Sequence, residues 1–205
     1  MTDAYRTLKA DASGKLTRNK SRFLAFVIPV SDTAEIDSSL ANLRRHYHDA
    51  SHHCYAFRLI PKDDPHGCEG HNDDREPAGS AGLPILQQLQ KADLQNVLAV
   101  VVRYFGGVKL GIGGLVRAYG DATDAALESA TVVVVRRHVE IDVRFPPQAT
   151  SGIMSLIHRS RAKIVGTSYD KMSVVTVSLP PSHVEEFTGG LGDVSSGQAQ
   201  WEVRQ

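Results

Sequence analysis

One run of ten residues constrains this 205-residue chain more than any other: NVLAVVVRYF, residues 96–105. After Asn96 every position but Arg103 is apolar or aromatic, and four of the ten are valine. Such a run lacks the alternation of a half-exposed strand. It predicts a strand buried on both faces, at the centre of a sheet. Burying it takes a real core, and a hydrophobic content of 41% supplies one.

The segment after that strand is rich in glycine. RYFGGVKLGIGGLVRAYG, residues 103–120, holds six glycines in eighteen positions, with Arg103, Lys109 and Arg117 among them. A helical run, LVRAYGDATDAALES, leads out of it. Glycines at a strand-to-helix junction let backbone N–H groups approach a ligand, and a helix N-terminus favours an anion. They serve equally for a tight turn and close helix–sheet packing. The spacing matches no specific phosphate motif. No G-K-[ST] closes it, and after Gly111 and Gly113 a dinucleotide fingerprint wants glycine where Val116 stands. Both roles are therefore expected together: the turn packs, and its exposed amides and basic side chains bind phosphate. The candidate phosphate-binding residues are Arg103, Gly106, Gly107, Lys109, Gly111, Gly113, Gly114 and Arg117. Arg103 ends an apolar strand, so its alternative role is a buried ion-pair partner of Asp74 or Glu76.

Bulk charge gives that reading no help. Lys plus Arg is 23 and Asp plus Glu is 23, for a pI near 7.1. A dedicated nucleic-acid binder usually carries a basic excess, although a neutral chain can still have a basic face. No apolar run of membrane-spanning length exists. The N-terminus, MTDAYRTLKADASG, lacks a signal-peptide pattern. Two cysteines, Cys54 and Cys68, make no disulfide framework, and a reducing cytoplasm is the simplest compartment.

The rest of the chain reads as two domains, 1–137 and 138–205. In the first, strands are expected near Tyr5–Ala12, at KSRFLAFVIPV and at HHCYAFRLI. Asp32–Thr33 caps a helix running to about Tyr47. Residues 61–80 are rich in Pro, Gly and Asp and read as a long loop. Gly82–Lys91 is a short helix with Pro84 in its first turn. TVVVVRR is a further strand. From His138 the order becomes strand, helix, strand, strand, helix, strand, with the middle strands turning at Asp170–Lys171. That is the ferredoxin-like plan. The first domain holds seventeen basic and sixteen acidic residues and the second six and seven, so neither attracts polyanions by net charge.

Two further segments carry chemistry. In NDDREPAGSAG, Asp73, Asp74 and Glu76 lie within four positions, and could hold Mg²⁺ or act as acid and base. The plainer reading is a solvated acidic loop with Ser80 capping the next helix. Six of nine histidines lie between His46 and His71, with both cysteines among them. No C-x₂-C or H-x₃-H frame is present, and neighbours on a strand point to opposite faces, so no zinc is expected. Cys54 falls mid-strand, where a buried thiol is usually inert.

KSRF (20–23), HHCYAF (52–57), DDREPAGSAGLPIL (73–86) and VVVRYFGGVKLGIGGLVRAYG (100–120) occur in this order. Together they resemble the IMPACT/YigZ family over nearly the whole chain, including the smaller second domain of bacterial members. One departure is Arg75, where the family usually has glycine. The resemblance implies an α+β architecture: an N-terminal α/β sandwich like domain 2 of ribosomal protein S5, and a C-terminal ferredoxin-like domain like domain V of elongation factor G. It marks Asp73, Asp74, Glu76, Pro77, Gly79 and Ser80 as a family-motif loop and transfers no catalytic residue. Eukaryotic relatives regulate translation through a protein partner, using an extra N-terminal domain without counterpart here. That partner is not carried over.

The leading expectation is thus a non-catalytic protein that binds RNA or the ribosome in stress-related regulation of translation, with no cofactor and no metal. Two alternatives remain. One is a small-molecule-kinase-like enzyme using the glycine loop and the Asp73, Asp74, Glu76 cluster, although Gly113–Gly114–Leu115 stands where those kinases have Gly-Ser-Ser. The other is a module that docks a protein of the translation machinery.

Overall fold

The computed structural model describes residues 3–60, 67–169 and 172–204. It is a mixed α/β protein with five α-helices among the described residues. The chain divides into two compact units, Arg6–Val135 and a second composed of Met1–Tyr5 and Arg136–Gln205. The sequence places one cut after residue 137. The first residues group with the C-terminal segment because Asp3 accepts hydrogen bonds from the Ser182 N–H at 2.9 Å and the Ser182 hydroxyl at 2.6 Å. The Asp3 carbonyl also accepts from Arg137 N–H at 2.7 Å. Nothing in the local sequence announces these contacts.

In the larger unit, β2 (Ala12–Arg18), β3 (Ser21–Pro29), β4 (His52–Leu59), β5 (Cys68–Asn72) and β6 (Val97–Tyr104) form one sheet, in the order β2-β3-β6-β4-β5. Every pairing in it is antiparallel. The apolar run is β6, and it is the central strand. Val97, Ala99 and Val101 enter a core with α2 (Gly82–Lys91) and α3 (Ile112–Glu128). Leu98, Val100 and Val102 enter a second core on the opposite face, with α1 (Thr33–His46). All six are at most 1% exposed. A helix on each face is what lets an antiparallel strand be apolar at successive positions, since alternate side chains leave on opposite sides. Asp32 caps α1 as expected, accepting from Glu35 N–H at 2.8 Å.

Two strands escape the sequence reading. β2 was not expected at all. Its residues, ASGKLTR, have little strand propensity, but they pair along β3 and lie beneath α3, where a Cβ on Gly14 would meet Ala126 N at 2.4 Å. Asn19 and Lys20, both with positive φ, close this hairpin as a two-residue turn, since Arg18 pairs with Ser21. β5 lies inside the segment 61–80 read as loop. CEGHN is a strand because β4 pairs with it, with Gly70 admitting the Phe57 ring. Residues 61–66 lie outside the described residues, as does the turn expected at Asp170–Lys171. The strand read from TVVVVRR is β7 (Val132–Arg136), which pairs with β1 (Ala4–Leu8) in a ribbon separate from the main sheet.

The smaller unit runs β8 (Val139–Phe145), α4 (Thr150–Arg159), β9 (Lys163–Tyr169), β10 (Ser173–Leu179), α5 (Val184–Ser195) and β11 (Gln200–Val203). Its sheet has the order β11-β8-β10-β9, with all pairs antiparallel. Ile141, Val143 and Phe145 of β8 pack with Val175 and Val177 of β10 against Ile153, Phe187 and Leu191 of the helices. No helix among the described residues is long and apolar enough to cross a membrane.

The position of β6 predicts the order of amide hydrogen exchange in the larger unit, because exchange follows burial and pairing. Val97–Val102 should exchange slowest, and β5 and β7 should exchange orders of magnitude faster. Equal protection of β5 and β6 would contradict this account of the sheet.

Candidate functional site

The site is built at the end of β6. Arg103, the last-but-one residue of β6, is 5% exposed, and its guanidinium pairs with the buried Glu76 carboxylate through Nη1 and Oε1. Tyr119 of α3, wholly buried, donates its hydroxyl to the same carboxylate oxygen at 2.8 Å. Arg103 Nη2 reaches Ser21 Oγ at 3.5 Å, and that Oγ accepts from Gly106 N–H at 3.1 Å. His52 Nε2 stands 3.8 Å from Glu76 Oε1, while its Nδ1 lies 2.8 Å from the Asp74 carbonyl. Arg103 thus ties the acidic segment, the β2–β3 hairpin and the start of the glycine loop together. Its buried role is the one observed, so it is not an exposed phosphate contact.

The acidic residues do structural work. Asp73 accepts from the N–H groups of Gly79 at 2.8 Å, Ala81 at 3.0 Å and Gly82 at 2.8 Å. It therefore holds the start of α2 from nine positions away, in place of the cap expected from Ser80. The Ser80 hydroxyl is buried without a partner among the described residues. Burial pulls the Asp73 carboxyl upward, but the three N–H donors outweigh it and hold it below the usual carboxylate range. Asp74 accepts from His53 N–H at 2.6 Å. Ser80 N–H bonds the Pro77 carbonyl at 3.0 Å, closing the turn in which Gly79 has a φ of +73°. Arg75 has a φ of 71°, a left-handed conformation that suits glycine. No group of three or more His, Cys, Asp or Glu is placed to hold a metal among the described residues.

Cys54 is wholly buried, with its Sγ 3.1 Å from the Asp73 carbonyl and 3.3 Å from the Tyr119 hydroxyl. Burial pushes its thiol up to about 12, against only a partial offset from Tyr119. Burial likewise raises the Tyr119 phenol and lowers His53. These groups form a packed polar network with no nucleophile poised in it.

The glycine loop has two parts. Gly106 serves packing: a Cβ there would sit 2.1 Å from the Lys20 carbonyl carbon. From Gly107 onward the loop is open. Gly107 has a φ of +83° with open space around it. Gly111 precedes α3 with a φ of 69°, and no side chain caps that helix. The first-turn N–H groups of Ile112, Gly113 and Gly114 therefore carry the partial positive charge of the helix end without a side-chain acceptor. Arg117 Nη1 lies 3.8 Å from where a Gly113 Cβ would be, so the guanidinium folds over that turn. A Cβ on Gly114 would instead lie 3.1 Å from the Leu110 Cβ. Lys109 and Arg117 are exposed, and neither forms an ion pair among the described residues.

Several residues at this site were missed by sequence reasoning. Phe105, Val108 and Ile112 are 50%, 44% and 63% exposed, and large apolar residues just before and between the loop glycines could have pointed to them. Lys20 and Arg22 arrive through the β2–β3 hairpin, and without β2 in view nothing placed them there.

The antiparallel sheet with helices on both faces, apart from its edge strand β2, and the glycine loop that follows β6 lie within an Impact N-terminal domain, whose profile matches residues 19–127. The chain belongs to the IMPACT/YigZ family. It is 35% identical over 181 residues to the IMPACT family member YigZ of Escherichia coli, covering 88% of each chain. Mouse Protein IMPACT is 33% identical over 98 residues, 47% of this chain and 30% of the mouse protein. A crystal structure of a hypothetical protein superimposes with a TM-score of 0.68 at 31% identity, covering 100% of this chain and 99% of that one.

Removing either partner of the Arg103–Glu76 pair leaves a buried charge unpaired. Arg103→Ala and Glu76→Ala should each lower stability by about 3–5 kcal/mol, read by denaturant melts. The double variant should lose less than the sum of the two. A disulfide thiol reagent at mildly alkaline pH should label the exposed Cys68 quickly and Cys54 only after unfolding. Rapid labelling of both would show that the Cys54 pocket opens readily.

Proposed function

We propose that this chain is a non-catalytic RNA-binding protein that acts on the ribosome in regulating translation, in the cytoplasm. The observation that carries the reading is the uncapped first turn of α3, with Arg117 folded over it and Lys109 beside it in an exposed glycine loop. Backbone N–H groups, a helix dipole and two unpaired cations are the chemistry that receives a phosphate. Contacts of that kind position a nucleic-acid backbone without reading its sequence. Membership of the IMPACT/YigZ family supports a role in translation. The order strand, helix, strand, strand, helix, strand in the smaller unit supports a ferredoxin-like reading, and the larger unit is taken as S5 domain 2-like on the family resemblance. Both folds occur in translation proteins, which is an argument by analogy between folds.

The kinase-like reading is less well supported. Asp73 is saturated by three N–H donors and Glu76 is held by Arg103 and Tyr119, which leaves no pair of free carboxylates for Mg²⁺. A protein partner docked on the loop is the second reading, favoured by the exposure of Val108 and Ile112.

Co-sedimentation with ribosomes across a salt series tests the proposal. Binding should weaken as salt rises, because each phosphate contact releases counterions. Lys109→Ala and Arg117→Ala should each weaken binding about equally across RNA sequences and reduce the salt slope by roughly one, with melting unchanged. Wild-type affinity and slope in both variants would remove the phosphate role from this loop.

A further inference from the structure

Phe105 has no evident structural reason for its exposure. It is half exposed, yet its backbone is fixed on both sides. Its own N–H donates to Ser51 Oγ at 3.2 Å, and the next N–H, of Gly106, donates to Ser21 Oγ at 3.1 Å. Gly106 then packs against the Lys20 backbone, so the ring cannot retreat by shifting the chain. The guanidinium of Arg103 lies 5.5 Å from the ring centroid and is itself buried and held by Glu76. The ring is therefore backed from the protein interior by a cation and open toward solvent. Beside it in the chain, the Arg22 guanidinium lies 4.6 Å over the Tyr104 ring. Lys20, Arg22, Lys109 and Arg117 are all exposed at this end of the unit.

We infer that Phe105 is a base-stacking platform and that the ligand of this surface is single-stranded RNA. One unpaired base lies on the open face of the Phe105 ring while neighbouring phosphates meet the α3 amides, Lys109 and Arg117. This rests on the RNA reading above and narrows it. A duplex presents phosphates to a surface like this but keeps its bases stacked inside, where a flat ring has nothing to engage. An unstacked base offers a π-face to an aromatic ring whatever its sequence, and aromatic rings among cations are the usual form of a single-strand site. The Arg103 guanidinium on the inner side of the ring is a cation–π contact that helps hold the ring where it is.

The test compares a fluorescent single-stranded oligoribonucleotide of about twelve nucleotides with the same sequence as a blunt duplex, by anisotropy at matched salt. The single strand should bind more tightly. Phe105→Ala should weaken single-strand binding by about tenfold or more, with the duplex affinity and the salt slope unchanged. Phe105→Trp should retain the affinity, and its fluorescence should be quenched on binding relative to the wild-type chain. Phe105→Leu keeps apolar bulk without a π-face and should behave as Phe105→Ala. Melting curves check that each variant is folded, which half-exposure of the side chain favours. Retained single-strand affinity in Phe105→Ala or Phe105→Leu would overturn the stacking platform. Tighter duplex binding would overturn it too, with the phosphate role of Lys109 and Arg117 left standing. No affinity of the wild type for either probe, at any salt tested, would overturn both readings together.

Discussion

The buried ion pair between Arg103 and Glu76 holds together the end of the larger unit where β6, the acidic segment, the β2–β3 hairpin and the glycine loop meet. A charge at the end of a fully apolar strand can be buried only beside an opposite charge, because an isolated ion in that environment costs several kcal/mol. Glu76 supplies the charge from a distant loop, and Tyr119 and Ser21 satisfy further hydrogen-bonding capacity. Geometry then follows from the pair. The acidic segment cannot swing outward without exposing an uncompensated guanidinium. The β2–β3 hairpin is held through Ser21, and the glycine loop leaves the sheet at a defined point. A buried pair is a weak source of net stability, but breaking it is costly, so it fixes an arrangement more than it strengthens one.

That anchoring separates two roles within one loop. Close to the anchor, at Gly106, glycine is required because the backbone of the hairpin turn is too near for any side chain. Farther out, the positive φ values at Gly107 and Gly111 and the absence of a cap on α3 leave amides facing solvent. The packed half fixes the point at which the open half leaves the sheet. Cys54 and Tyr119, shifted strongly by burial, belong to the packed half. Strongly perturbed groups at a cleft often mark catalysis. Here they sit behind the surface, each satisfied by a neighbour.

The Asp73, Asp74 and Glu76 cluster shows how composition can mislead. Three carboxylates in four positions suggest a cation site. Each turned instead toward backbone donors or a guanidinium, and the chain forms left-handed conformations at Asp74 and Arg75 to bring them there. In this chain the segment around these residues positions α2 and pins the end of β6.

What the sequence determined by itself was whatever local periodicity encodes. The apolar run of β6 announced a strand covered on both faces. Asp32 and Thr33 announced the start of α1, and the alternation after His138 announced the element order of the smaller unit. The glycine loop's position between a strand and a helix was also legible, as was the choice facing Arg103. The tertiary structure decided the rest, because it depends on partners far apart in the chain. β2 and β5 are strands by virtue of the neighbours they pair with, since their own residues favour no strand. Asp73 caps a helix nine residues on, Arg103 chose Glu76 over Asp74, and Lys20 reached the glycine loop through a hairpin the sequence did not reveal. Phe105 was plain in the sequence as a residue, but only folding, by fixing its backbone and placing a cation behind its ring, left it facing solvent.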